Sequence, residues 1–217
     1  MAVSLFYPSA SAIDGTTTHE ASAPGASIAT LRAGAGNTTP DLTILAAALF
    51  AGQSGAGYSN FRYFTRPIVL FDTSTLGSGA VISAVTFELY MTEVSNNSWG
   101  NGAVALVSST PASDTTLANG DYAQVGSVRL ATDLTIAGLT NNAYNTWTLN
   151  TAGIANVNKT GISKFALRMA YDFDNVDPGW TDNYLSRFIA NSQQGANKPK
   201  LTVTYSTAGG GFFLLSS

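Results

Sequence analysis

The sequence predicts an all-β fold, a jelly-roll-like antiparallel β-sandwich with one short helix. Three observations point there. First, Arg66–Met91 (RPIVLFDTSTLGSGAVISAVTFELYM) carries the two clearest strand signals in the chain. Ile68–Phe71 is apolar on both faces, and beyond the polar turn 72–79 the pattern becomes an alternation. Val81, Val85, Phe87, Leu89 and Met91 share one side, and Ile82, Thr86, Glu88 and Tyr90 the other, which is the period of a strand with one buried face. Second, short β-branched and aromatic runs recur between turn signals along the rest of the 217 residues. Third, 45% of residues are hydrophobic and only 11% charged, against ~25% charged in a typical soluble domain. Ser, Thr, Asn and Gly stand in place of charge, which suits strands and turns. Two strands cannot persist alone, so a second layer must cover their apolar sides. The chain is too long for one immunoglobulin domain and shows no boundary between two, which favours the jelly roll.

Taken in order, Val3–Tyr7 reads as a strand stopped by Pro8, and Asp14-Gly15 as a turn. Ser27–Arg32 alternates briefly and is expected to be a strand ended by 34–37. Leu42–Phe50 fits either a short helix or a buried strand before the glycine-rich loop 51–60; its shortness and the β-formers Thr43 and Ile44 favour the strand. After Met91 come the polar loop 95–102, a strand at Ala103–Ser108 that is apolar on both faces, and the long connection 111–120. A short strand is expected at Val125–Leu130, and 134–139 is weakly patterned. Tyr144–Leu149 alternates as a strand. Thr151–Val157 is the expected helix, with Asn150 or Thr151 as its cap and Gly161 beyond its end. Strands follow at Lys164–Ala170, Tyr184–Ala190 and Lys200–Tyr205, separated by the acidic loop 172–183 and the polar loop 191–199. The expected organisation is one β-sandwich domain over 1–206, with residues 1–60 as a strand-and-loop extension packed on it, and a glycine-hinged tail over 207–217.

Composition narrows the chemistry. The formal net charge is −3 and no run of Lys or Arg exists, so neither a nucleic-acid groove nor a basic membrane surface is expected. No stretch approaches eighteen apolar residues. With no cysteine there is no disulfide framework, thiolate nucleophile or Cys-ligated zinc. The start, MAVSLFYPSASA, has no basic n-region, so no Sec signal peptide is expected.

His19 is the single histidine and sits in a Thr-rich polar segment, which suits a surface residue better than a triad member. No catalytic residue is therefore assigned, and no enzyme is expected. Asp172, Asp174 and Asp177 place carboxylates at a spacing that could hold Ca²⁺ on a loop, the one cofactor considered; the Gly and Glu of an EF-hand loop are absent. Trp99, Trp180 and Tyr184 lie in or beside loops and are candidate glycan contacts, or plugs at the end of the core. Trp147 reads as core, Asp72 as the acceptor of an Asx turn, and Arg66 as the partner of a carboxylate on the sheet. The tail sets Phe212, Phe213, Leu214 and Leu215 behind Gly209-Gly210-Gly211. Four large apolar residues on such a hinge are candidates for docking on a partner.

Several of these segments together resemble a DNRLRE-type β-sandwich module. Arg66, Leu70–Ser74, Ala80–Val85 and Leu89-Tyr90 match its front half. Tyr144–Leu149, Gly153–Ala155, Lys159–Gly161 and Lys164–Arg168 match its back half, and Pro199–Tyr205 its ending. Phe6–Pro8, Asp14-Gly15 and Thr30–Gly34 are similar to a subgroup among tailed-phage virion proteins known mostly from environmental sequence. The resemblance covers roughly residues 5–206. It implies the fold, and it implies a virion structural protein made in a host cytoplasm. Such a protein would decorate a capsid or build a tail or fibre, with other virion proteins and copies of itself as partners. A carbohydrate-binding or adhesive module is the alternative, with a glycan as partner.

Overall fold

The computed structural model describes residues 1–9, 14–96, 99 and 102–207. Among these, eleven strands form one antiparallel sheet that curls on itself into a sandwich-like fold. They are β1 (Ala2–Phe6), β2 (Asp14–Glu20), β3 (Ile44–Phe50), β4 (Tyr63–Asp72), β5 (Ala80–Asn96), β6 (Ala103–Ser108), β7 (Leu134–Thr135), β8 (Ala143–Thr148), β9 (Ile162–Met169), β10 (Leu185–Asn191) and β11 (Lys200–Thr207). Three short helices, α1 (Ile28–Arg32), α2 (Thr151–Ala155) and α3 (Ala170–Asp174), join them. None is long and apolar enough to cross a membrane. The strand order is β1-β11-β5-β10-β3-β4-β9-β6-β7, with β2 added to β4 and β8 to β5.

The 17-residue β5 is what lets the sheet curl. Its first half pairs with β11 and β8, and its last residues pair with β10. Register shifts mark both ends of this course, one where Thr204 faces Ala84 but Tyr205 faces Ile82, the other where Ile189 faces Glu93 but Ala190 faces Met91. Each skips one β5 residue, Ser83 and Thr92, and such bulges bend a strand and strengthen its twist. The first also corrects the expected alternation. Val85, Phe87, Leu89 and Met91 are buried as the pattern requires, but the extra residue turns Val81 outward and lets Ile82 pack on the core.

The main core lies between β5-β8 and β4-β9-β6. Phe87 meets Phe71, Phe165 and Trp147 at ring-centroid distances of 5.9, 5.6 and 5.9 Å. A second, smaller core explains the doubly apolar strands. Val69, Phe71, Val104 and Leu106 face the main core, while Ile68, Leu70, Ala105 and Val107 face the other way. There Leu117 and Val125 of the long 111–126 connection, with Phe173, cover them.

Helix α2 forms where the sequence predicts, capped by Asn150, whose side chain accepts from the Gly153 N–H. The other two helices correct the expectation of one. Ser27–Arg32 is not a strand: the Ser27 hydroxyl caps the Thr30 N–H, and Ile28 and Leu31, three apart, bury one helical face. The expected acidic loop begins with α3, and Val125–Leu130 makes only an isolated bridge at Val125 with Ser109. Residues 1–60 contribute β1, β2 and β3, all hydrogen-bonded into the sheet.

Candidate functional site

The sheet's outer face carries a trough, and the register shows why. Arg187, Ala48, Thr65 and Thr18 form one row across β10, β3, β4 and β2. Ile189 and Ala46 begin the next row, and Phe50, Tyr63 and Glu20 align on the other side. The central strand therefore presents alanines between larger neighbours. The side-chain period of two sends Leu45, Ala47 and Leu49 to the core and leaves Ala46 and Ala48 as the trough's floor. Its volume is about 270 Å³. Thr38 and Asp41 close one side, fixed because Thr16 and Asp41 exchange both backbone hydrogen bonds at 2.7 and 2.9 Å.

Where β3 leaves β4, threonine hydroxyls replace the missing ladder. Thr65 Oγ1 donates to the Ala46 carbonyl at 2.7 Å. Thr16 Oγ1 donates to the Ile44 carbonyl at 3.0 Å and accepts from the Ala46 N–H at 2.8 Å. These bonds satisfy buried backbone groups that would otherwise lack partners.

Two of the trough's charges, Glu20 and Arg187, are paired in place. Glu20 accepts from Arg62 Nε at 2.7 Å, and Arg187 Nε donates to Glu93 at 3.0 Å. Asp41 accepts from the Thr43 N–H and hydroxyl within its own turn. Burial pushes the Tyr63 phenol upward, against the pull of the nearby Arg187 and Arg62 charges, so it stays a neutral hydroxyl. A second pocket of about 240 Å³, lined by Glu20, Ala21, Ser22, Asn37, Thr38 and Tyr58, shares Glu20 and Thr38 with the first. Along this shared rim the Arg62 guanidinium lies 5.6 Å from the Tyr58 ring and 6.0 Å from those of Phe50 and Tyr63. Tyr63 itself packs on Phe50 at 5.3 Å. The result is two adjoining depressions that share Glu20 and Thr38, a groove with an apolar floor, hydroxyl-bearing walls, the rings of Tyr63 and Tyr58, and the paired Glu20 and Arg187.

The residues singled out from sequence lie elsewhere. Trp99 and Tyr184 do come together, 5.5 Å apart, but inside an aromatic plug with Phe61 and Tyr171. The Trp99 indole donates to the Gly179 carbonyl at 2.6 Å and that of Trp180 to the Ala51 carbonyl at 2.7 Å. The two indole donors are thus committed to backbone, while the rings of Trp99, Trp180 and Tyr184 are half-buried, packed against the edge of the core.

Asp172, Asp174 and Asp177 do not converge, which corrects the calcium expectation. Asp172 is 1% exposed and accepts two hydrogen bonds each from Arg66 (2.7 and 2.6 Å) and Arg168 (2.9 and 2.8 Å). Asp174 pairs with Arg129, and Asp177 accepts from the Gly179 N–H. Among the described residues no group of three acidic or histidine side chains could hold a metal ion. Arg66 does pair with a carboxylate, though Asp172 is on α3 and not on the sheet, and Asp72 does accept from the Ser74 N–H at 3.0 Å. His19 is half-buried, its Nδ1 3.0 Å from the Leu31 carbonyl and its ring edge-on to Tyr122. Phe212–Leu215 lies outside the described residues.

No protein-family model matches this chain, and no curated protein matches it. Among solved structures it is similar to the crystal structure of a carbohydrate-binding module, CBM28, described as specific for non-crystalline cellulose. The TM-score is 0.24 and the identity 13%, over 66% of this chain and 66% of that one.

Proposed function

We propose that the protein is a non-catalytic binding module whose groove takes an uncharged polysaccharide. One observation carries this reading: the alanine-floored trough between Arg187 and Tyr63, joined through Glu20 and Thr38 to the pocket beside Tyr58. Sugar rings offer an apolar face and a rim of hydroxyls. The rings of Tyr63 and Tyr58 suit the first, and the threonines and the paired Arg187–Glu93 and Arg62–Glu20 groups suit the second. Because Arg187 is already paired with Glu93 and Glu20 with Arg62, and Asp41 adds a further carboxylate, the groove favours a neutral ligand over an anionic one. Glu20 and Asp41 are the carboxylates lining the trough, and both are tied up in local bonds, which fits binding rather than hydrolysis. On a phage particle, the setting the sequence resemblance implies, such a groove would attach virions to a polysaccharide surface.

The test is affinity electrophoresis in gels containing soluble uncharged glucans, mannans or galactans. Retardation by at least one polymer is expected, weakened tenfold or more by Tyr63→Ala and by Arg187→Ala and unchanged by Val128→Ala, at an exposed site that is not part of the groove. If every polymer leaves mobility unaltered, or the two groove variants migrate like the parent chain, the reading fails.

A further inference from the structure

The β1 edge is built to accept a strand. β1 pairs with β11 on one side and ends the sheet. Its sequence, AVSLF, has no charge, and Pro stands only at position 8. Val3, Leu5 and the following Tyr7 are 66%, 48% and 45% exposed. An exposed, uncharged apolar edge offers free N–H and C=O groups to any compatible strand, and proteins usually blunt such edges with Lys, Pro or a cover. Two other borders of this sheet, β7 and β2, are blunted. β7 is two residues long, and β2 is covered by 36–41 through Asn37 N–H to Thr18 O and the Thr16–Asp41 pair.

Ten residues, 208–217, follow β11 and include Phe212-Phe213-Leu214-Leu215. Ala2 faces Tyr205, so β11 ends at Thr207 beside the start of β1. Both sides of β11 are already paired, with β1 and β5, so the segment cannot fold back as a hairpin on the strand it leaves. Turning back along its own β1, it would have to run parallel to that strand. From a second copy it can add antiparallel, the stronger pairing.

We propose that residues 212–215 of one molecule add as a strand to the β1 edge of a second copy, with Val3 and Leu5 as the apolar contacts. The test is sedimentation equilibrium on the full chain, on a chain lacking 208–217, and on Leu5→Lys. The full chain is expected to self-associate, and each variant to do so at least tenfold more weakly. An equimolar mixture of the two variants should recover one contact, since one supplies an intact edge and the other an intact segment. A fluorescent peptide of residues 207–217 should bind the truncated chain and not the truncated chain carrying Leu5→Lys. The proposal is overturned by a monomeric full chain, including one whose melting temperature falls on truncation, which would mean docking within one molecule. It is equally overturned if truncation abolishes association while Leu5→Lys leaves it intact.

Discussion

Two buried carboxylates in this protein are held in opposite ways, and each gives a measurable consequence. Burial alone would raise the Asp172 pKa, but the hydrogen bonds and charges of Arg168 and Arg66 outweigh it and hold the group below the usual carboxylate range. The same cluster stacks Arg66 on Tyr122, with the guanidinium 3.8 Å from the ring centroid, and ties β4, β9 and α3 together. A depressed folded-state pKa contributes stability above the unfolded pKa, and that contribution fades as pH falls through the folded one. Asp172→Asn would leave two buried guanidinium groups without a countercharge, so a loss of about 3–5 kcal/mol is expected in urea unfolding at neutral pH. Asp14 goes the other way. Burial raises it to about 6 despite the Gln193 N–H it accepts and the nearby Lys198 charge. With its ordinary value at 3.8, the folded state holds the proton longer than the unfolded chain, and stability drops as pH climbs from about 4 to 6. Asp14→Asn keeps an acceptor for Gln193 and removes the ionisation. Its unfolding free energy, followed against pH, should lack the decline the parent shows across that window, and an unchanged decline would assign the drop to another group.

At the scale of elements, local preference and tertiary packing part company in α2. Gly153 lies inside the helix, where alanine would be favoured by ~1 kcal/mol on propensity alone. A Cβ there would run into the Leu130 carbonyl oxygen and the Leu149 side chain. Gly153→Ala is therefore expected to destabilise by ~1–3 kcal/mol, read as a lower denaturation midpoint with an unchanged slope. The contrast also shows what the sequence could and could not reveal. Strands whose faces differ chemically, such as β5 and β8, declare themselves by alternation, and β4 and β6 by being apolar on both sides. β2 does not: DGTTTHE buries Thr16 and Thr17 through hydroxyl hydrogen bonds to β3 and β4, and Asp14 through the Gln193 N–H, rather than through apolar contact. Periodicity of hydrophobicity is blind to such a strand. Ser27–Arg32 misleads for the opposite reason, since two isoleucine- and leucine-type residues three apart fit either a short helix or a slipping alternation. The cap pair Ser27 and Thr30 was the signal that separates them. The groove was hidden because its walls come from four separate strands, although the run Ala46-Ala47-Ala48, flanked by larger residues in ILAAALF, was a visible hint of a depression.

For the molecule as a whole, β5 decides how it unfolds. The strand belongs to both halves of the curled sheet, pairing with β11 and β8 at one end and with β10 at the other. Phe87 sits on it, fully buried, touching β4, β8 and β9 through Phe71, Trp147 and Phe165. Neither half can leave without breaking β5 pairing or opening that aromatic cluster, so the free energy is shared rather than divided between independent units. One cooperative transition is expected in urea, with far-UV circular dichroism, which reports the whole sheet, and tryptophan fluorescence, to which the buried Trp147 contributes, giving the same midpoint. Phe87→Ala removes the ring common to these contacts and should cost ~3–5 kcal/mol, moving both midpoints down together without changing the slope. Two midpoints that separate in the variant, or in the parent chain, would mean that the halves joined by β5 are energetically distinct despite their shared strand.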